Sequence, residues 1–548
     1  MNFIGSFISM LKEKRLWYIF CTAICFLLIL PLFGLYIDGN LLFPYCLYLM
    51  FFLVAAALSW YAEGQGTNLL TVSAVSFLIA TGALVQSVLK ATSSSTGTTD
   101  SWSENLIIIA IVAIVFCSAF ILLRNTVLRM LGGYVVWITG AIALGCLGFC
   151  LLTEGVNGAK NWASVGGMSL QLTEIVKFFG VLFLGGVLLT EYSDKAKFWI
   201  MTIFTGITAV ILMVFINEMG TMMVIGLVYI ALVFGYIKSW PCKLILVIAL
   251  ALMVGLFAYF YSNVNTVSCH WVCHQGCTDE ITVEKKDEKG EVLKDKEGNP
   301  IKETVSIPHI VTGKSGKYCD KCLKLGKYTH VKELDPTFVC SFCSFTKFDR
   351  TQEEYNALYE RTYNEVTGWS QGKLCEKCSD NLFIGILKGK ATKIYQRFAV
   401  WLDYDKAENM DFAQQIRDGI KATKLGGVFG TTESFGLSII NPYNDSVVVA
   451  VAYRMGMLWV MLILLAYYIL FLGIRISRSP IKTGAILALC IQTLVVYAGN
   501  FNFFALTGIG VPLISSGGSI FAVSLAFVFI IYTRDSRCKK EKAVREEA

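Results

Sequence analysis

The sequence predicts an all-α polytopic membrane protein of about twelve transmembrane helices, interrupted once by a small β-rich, zinc-ribbon-like segment. Three observations carry that prediction. Apolar residues make up 55% of the chain, charged residues only 16%, and the mean hydropathy is +0.60, a balance typical of membrane-embedded chains. Apolar runs long enough to cross a bilayer recur on both sides of residues 262–390. That stretch itself is polar and Lys/Glu-rich, and holds all four His and nine of the eighteen Cys. The net charge of +7 is no nucleic-acid signature, because Lys and Arg are distributed by loop.

The runs fall near 16–37, 42–61, 68–89, 105–123, 131–153, 173–190, 198–216, 219–237, 241–261, 446–473, 483–503 and 517–533. Residues 1–15 are basic, and the first run is long enough to remain as an anchor, so no cleavable signal peptide is expected. One set of loops carries Lys12, Lys14, Arg15, Arg124, Arg129, Lys195, Lys197, Lys238, Lys243, Arg475, Arg478 and Lys482. The basic tail beginning at Arg534 falls on the same side, whereas the opposite short loops offer only Lys90 and Lys160. By the positive-inside rule both termini are cytoplasmic and 262–444 lies outside.

In chain order, the first five runs carry almost no ionisable residues, and Ala91–Ser103 reads as a flexible Ser/Thr/Gly-rich loop. Next come Asn157-Gly-Ala-Lys160-Asn-Trp162 and a Gly-rich turn leading into Leu172-Thr-Glu174-Ile-Val-Lys177. Glu174 and Lys177 are three apart, hence on one helical face. Charges inside a membrane segment are costly, so the pair is expected to face a polar cavity. A structural ion pair locking two helices is the other reading.

The insertion carries Cys319-x2-Cys322 and Cys340-x2-Cys343 separated by seventeen residues, a spacing that brings four thiolates around one Zn²⁺. A second set, Cys269, Cys273 and Cys277 with His270 and His274 at the start and Cys375-x2-Cys378 at the end, would clamp the two ends of the segment. Disulfides are the alternative in an extracytoplasmic compartment. Ile281–Val305, charge-rich and alternating, reads as a solvated β-hairpin. Cys21, Cys25, Cys146, Cys150 and Cys490 lie in apolar runs and read as small packing residues.

Asp445, in Ile439-Ile-Asn441-Pro-Tyr443-Asn-Asp445, stands at the entry to the 446–473 run. An ionisable group at such a mouth reads as a functional site or as a helix N-cap. Arg454, nine residues on along the same helix, falls about half a turn off its face and reads as part of the cavity wall rather than a direct partner.

These stretches share an order with a known family. Asn157 to Trp162, followed by Gln171-Leu-Thr-Glu-Ile-Val-Lys177, resembles the Lys-Gly-Ala-Arg-Arg-Trp and Gln-Pro-Ser-Glu-Ile-Ala-Lys of the SEDS family (shape, elongation, division and sporulation), the RodA/FtsW-type peptidoglycan glycosyltransferases. Glu218-Met-Gly-Thr221 resembles its Asp-Leu-Gly-Thr, and Arg397 to Asp403 its Arg…Leu-Asp-Pro segment. Gly426-Gly-Val-Phe-Gly430 is similar to Gly-Gly-Leu-Phe-Gly. Gly510-Val-Pro-Leu-Ile-Ser515-Ser-Gly517-Gly518-Ser resembles the closing Val-Pro-Leu-Pro-Phe-Val-Ser-Tyr-Gly-Gly-Ser. Asp445 matches the last Asp of the family's Leu-Pro-Glu-His/Arg-His-Thr-Asp-Phe, while Asn441 and Tyr443 replace its Glu and His. Ala452 to Gly456 replaces Ala-Glu-Glu-Leu-Gly with two carboxylates lost and Arg454 gained.

The resemblance covers roughly 131–535 outside the insertion and implies a ten-helix core. Two extra helices then lie within 1–130, and the core continues through 131–261. The insertion occupies 262–390, a catalytic loop 391–444, the last helices 445–533 and a cytoplasmic tail 534–548. It further implies polymerisation of lipid II at the outer face of a bacterial plasma membrane, with Asp445 as catalytic base. Lys160, Trp162, Glu174, Lys177, Glu218, Arg397, Ser515, Gly517 and Gly518 would bind substrate, and Mg²⁺ or Mn²⁺ would assist. A class B penicillin-binding protein transpeptidase is the implied partner. Two other classes stay open: a catalytically weak scaffold for that transpeptidase, suggested by the replaced Glu and His, and a lipid-linked precursor flippase. No internal repeat speaks for the flippase.

Overall fold

The computed structural model describes residues 14–37, 42–93, 134–153, 162–165, 168–216, 218–263, 413–431, 442–475 and 479–533, with short pieces between 270 and 404 and the single residues 439 and 477. Its elements in order begin with α1 (Lys14–Ile29), α2 (Leu32–Tyr36), α3 (Leu42–Gly64), α4 (Leu69–Ser93) and α5 (Tyr134–Leu152). The hairpin β1 (Trp162–Val165) and β2 (Met168–Gln171) leads into α6 (Leu172–Leu189). Then come α7 (Asp194–Val210), which runs on into a π-helical turn (Ile211–Ile216), α8 (Met219–Tyr236) and α9 (Trp240–Asn263).

The chain forms two compact units, one of 1–252 with 415–548, the other of 253–414. In the second, β4 (Thr278–Glu284) pairs antiparallel with β5 (Lys302–Pro308), with Ile281 opposite Val305, which is the hairpin the alternating sequence predicts. β3 (His270–Cys273) is flanked by β6 (Ile310–Val311) and β7 (Leu334–Thr337). The first unit resumes at α10 (Gln414–Gly426), then α11 (Val447–Arg454), α12 (Met457–Leu472), α13 (Pro480–Asn500) and α14 (Gly518–Tyr532).

Among the described residues, nine helices are long and apolar enough to cross a membrane, and Trp240–Gly255 and Gly518–Tyr532 are shorter apolar helices. The predicted 105–123 run lies outside the described residues. Elsewhere the runs become helices because backbone groups in an apolar medium must be satisfied within the segment.

The 446–473 run departs from expectation. It is not one span but two helices, α11 of 8 residues and α12 of 16, broken at Gly456, whose φ is +89°. At ~1.5 Å per residue α11 is only about 12 Å long, too short to cross. Nor is it lipid-facing, since Val447 to Ala452 are all buried. Asp445 and Arg454 therefore flank α11 at opposite ends and do not share a continuous helix.

The break is built from glycine. A Cβ on Gly456 would lie 2.2 Å from the Val428 carbonyl, and one on Gly430 (φ +87°) 2.3 Å from the Arg454 carbonyl. This close approach lets the Gly427 and Val428 carbonyls accept from Met457 N (2.9 Å) and Leu458 N (3.1 Å). Two orphan donors of the first turn of α12 are thereby satisfied.

Candidate functional site

Several of the residues singled out from sequence gather around one loop, 507–517, between α13 and α14. Three side chains from three helices hold its carbonyls. Gln86 of α4 donates to Ile514 O (2.7 Å), Gln492 of α13 to Gly510 O (2.8 Å), and the Tyr467 hydroxyl of α12 to Pro512 O. The loop turns through Leu513, a non-glycine residue at φ +60°. Its carbonyl passes so near α4 that a Cβ on Gly82 would stand 2.0 Å away.

The 443–445 segment is laid onto this loop by hydrogen bonds. Ser516 N donates to Tyr443 O (3.1 Å), Ser515 Oγ to Asn444 O (3.2 Å) and Ser516 Oγ to Asn444 Oδ1 (3.2 Å). Ser515 Oγ in turn accepts from Val511 N at 2.8 Å. Gly517 leaves room for Asn444, whose Oδ1 would lie 3.4 Å from a Cβ there, and Gly518 opens α14. Asn500, the last residue of α13, donates to Asp445 O at 2.7 Å. Asp445 is half-buried, and its carboxylate flanks Gly508, where a Cβ would sit 3.7 Å from Oδ2. Ser446, not Asp445, occupies the N-cap of α11. The carboxylate is thus one residue outside the position the capping alternative needs.

Glu174 and Lys177 are 1% and 2% exposed and form an ion pair within α6. Neither side chain is open to solvent. Lys177 instead donates also to Gln492 Oε1, and Gln492 hands its amide protons to Gly510 O, so a buried polar chain runs from α6 through α13 to the loop beside Asp445. The pair therefore locks two helices and supports the site by the same contacts. Removing one member of such a buried pair typically costs about 3–5 kcal/mol.

Glu218 is buried at the N-cap of α8, directly after the π-helical turn. α8 meets the loop at Gly220, where a Cβ would lie 2.3 Å from Ile509. β2 is tied in as well, with Gln171 N donating to Ser519 Oγ (2.8 Å).

Asp445, Glu174, Lys177, Glu218, Ser515, Gly517 and Gly518 are thus gathered at one end of the first unit. Trp162 lies in β1, which leads to this end. Lys160 is outside the described residues, and Arg397 is an exposed residue of the second unit. Of the predicted metal ligands, Cys273 falls on the β3 backbone. Cys269, Cys319, Cys322, Cys340, Cys343, Cys375 and Cys378 lie outside the described residues. Cys150 and Cys490 are buried free thiols within helices, and Cys21, Cys25 and Cys146 are half-buried ones.

Gln86, Tyr467, Gln492 and Asn500 were not among the sequence candidates. Their signal was a polar side chain in an apolar run, which must find a partner when dehydrated.

The site end is where α4 and α13 finish and where α6, α8, α12 and α14 begin. Lys195, Lys197, Lys238, Lys243, Arg475 and Lys482 cluster around the opposite helix ends. There Lys197 Nζ donates to Leu188 O (3.2 Å) and Lys243 Nζ to Phe234 O (3.0 Å), cations closing helix C-termini.

The chain is similar to known proteins in sequence. The profile of the FtsW/RodA/SpoVE family, described as cell cycle proteins, matches residues 67–271 and 382–540, about two thirds of the chain. The interval it omits falls inside the predicted insertion. A "Probable peptidoglycan glycosyltransferase FtsW" of Coxiella burnetii (strain RSA 493 / Nine Mile phase I) is 29% identical over 163 residues, 27% of this chain and 44% of that protein. The chain thus spans less than half the length of this relative. A chain from a solved structure on the "structural coordination of polymerization and crosslinking by a peptidoglycan synthase complex" shares 15% identity at a TM-score of 0.47, covering 84% of this chain and 95% of that one.

Proposed function

Since the chain belongs to the FtsW/RodA/SpoVE family of cell cycle proteins and is a multi-pass membrane protein, we propose that it is a peptidoglycan glycosyltransferase polymerising lipid II. The observation that carries this reading is the docking of the Asp445 segment onto loop 507–517, backed by the buried chain Glu174–Lys177–Gln492. It gives one half-exposed carboxylate a rigid mount at the end of the bundle, with apolar helices beside it for a lipid tail.

In this reading Asp445 takes the proton from the acceptor sugar's hydroxyl as that oxygen attacks the anomeric carbon in line. The electron pair of the breaking bond leaves on the polyprenyl diphosphate. An α-linked donor then becomes a β-linked product in a single displacement, with no covalent sugar–enzyme intermediate. The described groups beside Asp445 are amide, hydroxyl and carbonyl oxygens, a donor set that suits a hard divalent cation. Mg²⁺ or Mn²⁺ bound at this end would neutralise charge on the departing diphosphate, with Asp445 kept free as the base. Lys160 and Arg397 are proposed to serve the same diphosphate. A class B penicillin-binding protein is the proposed partner, receiving the nascent strand for crosslinking.

Asn441 and Arg454, where the family carries Glu, support a second reading as a scaffold without polymerase activity. One substitution separates the two. Asp445→Asn retains shape and removes the base, so purified protein should still fold while polymerisation of lipid II falls about 10²–10⁴-fold. A well-folded variant polymerising at the wild-type rate would eliminate the base assignment. Wild-type protein that binds lipid II without polymerising it would establish the scaffold.

A further inference from the structure

α10 and the glycine turn after it present a surface that the proposed reaction does not use. The helix buries Ile416, Gly419, Ala422 and Gly426 and leaves Lys421 and Lys424 exposed. Directly beyond them three apolar side chains stand out: Leu425 is 49% exposed, Val428 58% and Phe429 74%. The turn has no freedom to fold them inward. Gly430 N donates to Gly426 O (2.8 Å) and Thr431 N to Tyr453 O (3.0 Å), and the Gly427 and Val428 carbonyls are committed to the first turn of α12.

That last contact fixes depth. α12 belongs to Met457–Arg475, a segment long and apolar enough to cross a membrane, and a span of that length starts where hydrocarbon meets headgroups. Apolar side chains projecting at that level, with cations on the adjoining helix, have the make-up of an interfacial anchor.

We propose that Leu425, Val428 and Phe429 insert into the leaflet at the N-terminal end of α12, with Lys421 and Lys424 among anionic lipid phosphates. The charge balance favours that occupant, since α10 carries Arg417, Lys421 and Lys424 against the single acid Asp418. The anchor is bonded to one end of α11, and Asp445 stands at the other. It therefore sets the height of the carboxylate relative to the bilayer surface, whatever reaction Asp445 serves.

The test uses the full chain, with an environment-sensitive fluorescent amino acid at position 429, reconstituted in phosphatidylethanolamine/phosphatidylglycerol vesicles. Lipids brominated near the glycerol end of the acyl chain should quench the probe several-fold more than aqueous iodide does. The same probe at 428 should repeat the result. Carrying the bromine on phosphatidylglycerol alone should give quenching that drops at least about twofold in the Lys421→Gln/Lys424→Gln protein. Stronger quenching by iodide would overturn the proposal by placing the tip in water. A probe reached by neither quencher would also overturn it, because the surface would then be covered by protein, either another segment or a second copy. Equal quenching in the lysine variant would remove the headgroup contact.

Discussion

At the residue scale, Gln492 is the side chain on which the site's mounting turns. Its carbonyl accepts from Lys177 and its amide donates to Gly510 O, so neither Leu nor Glu can replace it in full. Gln492→Leu leaves Lys177 with Glu174 alone and strips Gly510 O of its donor in a dry interior, at about 1–3 kcal/mol for the group left unpaired. Gln492→Glu keeps an acceptor for Lys177 and strips Gly510 O of its donor. We expect the Leu variant to melt measurably lower. We expect the Glu variant to keep most of the stability while losing polymerisation rate, at unchanged lipid II binding. Unaltered melting and rate in both would show that the chain from Glu174 to the loop has no part in the site. Sequence reading found the two charges because ionisable groups in an apolar run stand out. It passed over Gln492 because a neutral amide in such a run shows its worth only when a residue 315 positions away is packed against it.

At the element scale, the split of 446–473 into α11 and α12 decides where Asp445 goes. Continuous apolarity made the run look like one helix, and hydropathy cannot see a break whose cause is geometric. The clue was Arg454-Met-Gly456, a cation and a glycine in the middle of the run. Gly456→Ala puts a methyl 2.2 Å from Val428 O at φ +89°. The positive-φ backbone, at ψ +168°, alone costs about 1–3 kcal/mol for a residue with a Cβ, and the clash must be relieved by moving the turn. The variant should lose stability by at least that much and lose polymerisation with it, as read by melting in detergent and by glycan product. A variant as stable and active as wild type would mean the break is not fixed by this turn. The nine spans found among the described residues were legible, since composition and length are all a lipid-facing helix requires. The π-helical turn before Glu218 left no mark in the sequence.

At the scale of the whole molecule, the first unit places its basic loops and its candidate site at opposite ends. The positive-inside rule then predicts the site and residues 262–444 outside the cytoplasm. An epitope tag inserted near residue 290 should be reached by antibody in intact spheroplasts. Access only after lysis would invert the topology and remove the outer-face reaction. For the inserted segment, we propose that Cys319, Cys322, Cys340 and Cys343 hold Zn²⁺. Full-length protein prepared under reducing conditions should carry at least one equivalent by elemental analysis. A chelator should make the segment protease-sensitive while the helical unit stays intact. Metal-free protein with these cysteines in disulfides would overturn that assignment.

Among the described residues, the side chains that reach the loop beneath Asp445 from α4, α12 and α13 grip it by its carbonyls, at Ile514, Pro512 and Gly510. A carbonyl is common to every amino acid, so the grip is blind to what the loop's side chains are. The fitting can be re-tooled without disturbing its bracket: exchanges at Ile509 or Ile514 alter what faces the neighbouring helices while the path of the backbone persists. The bracket has no such latitude, because an amide or a phenol reaching across two helices has few substitutes. Random mutagenesis scored for function should therefore find the variable half of this contact in the loop and the intolerant half in the helices that hold it.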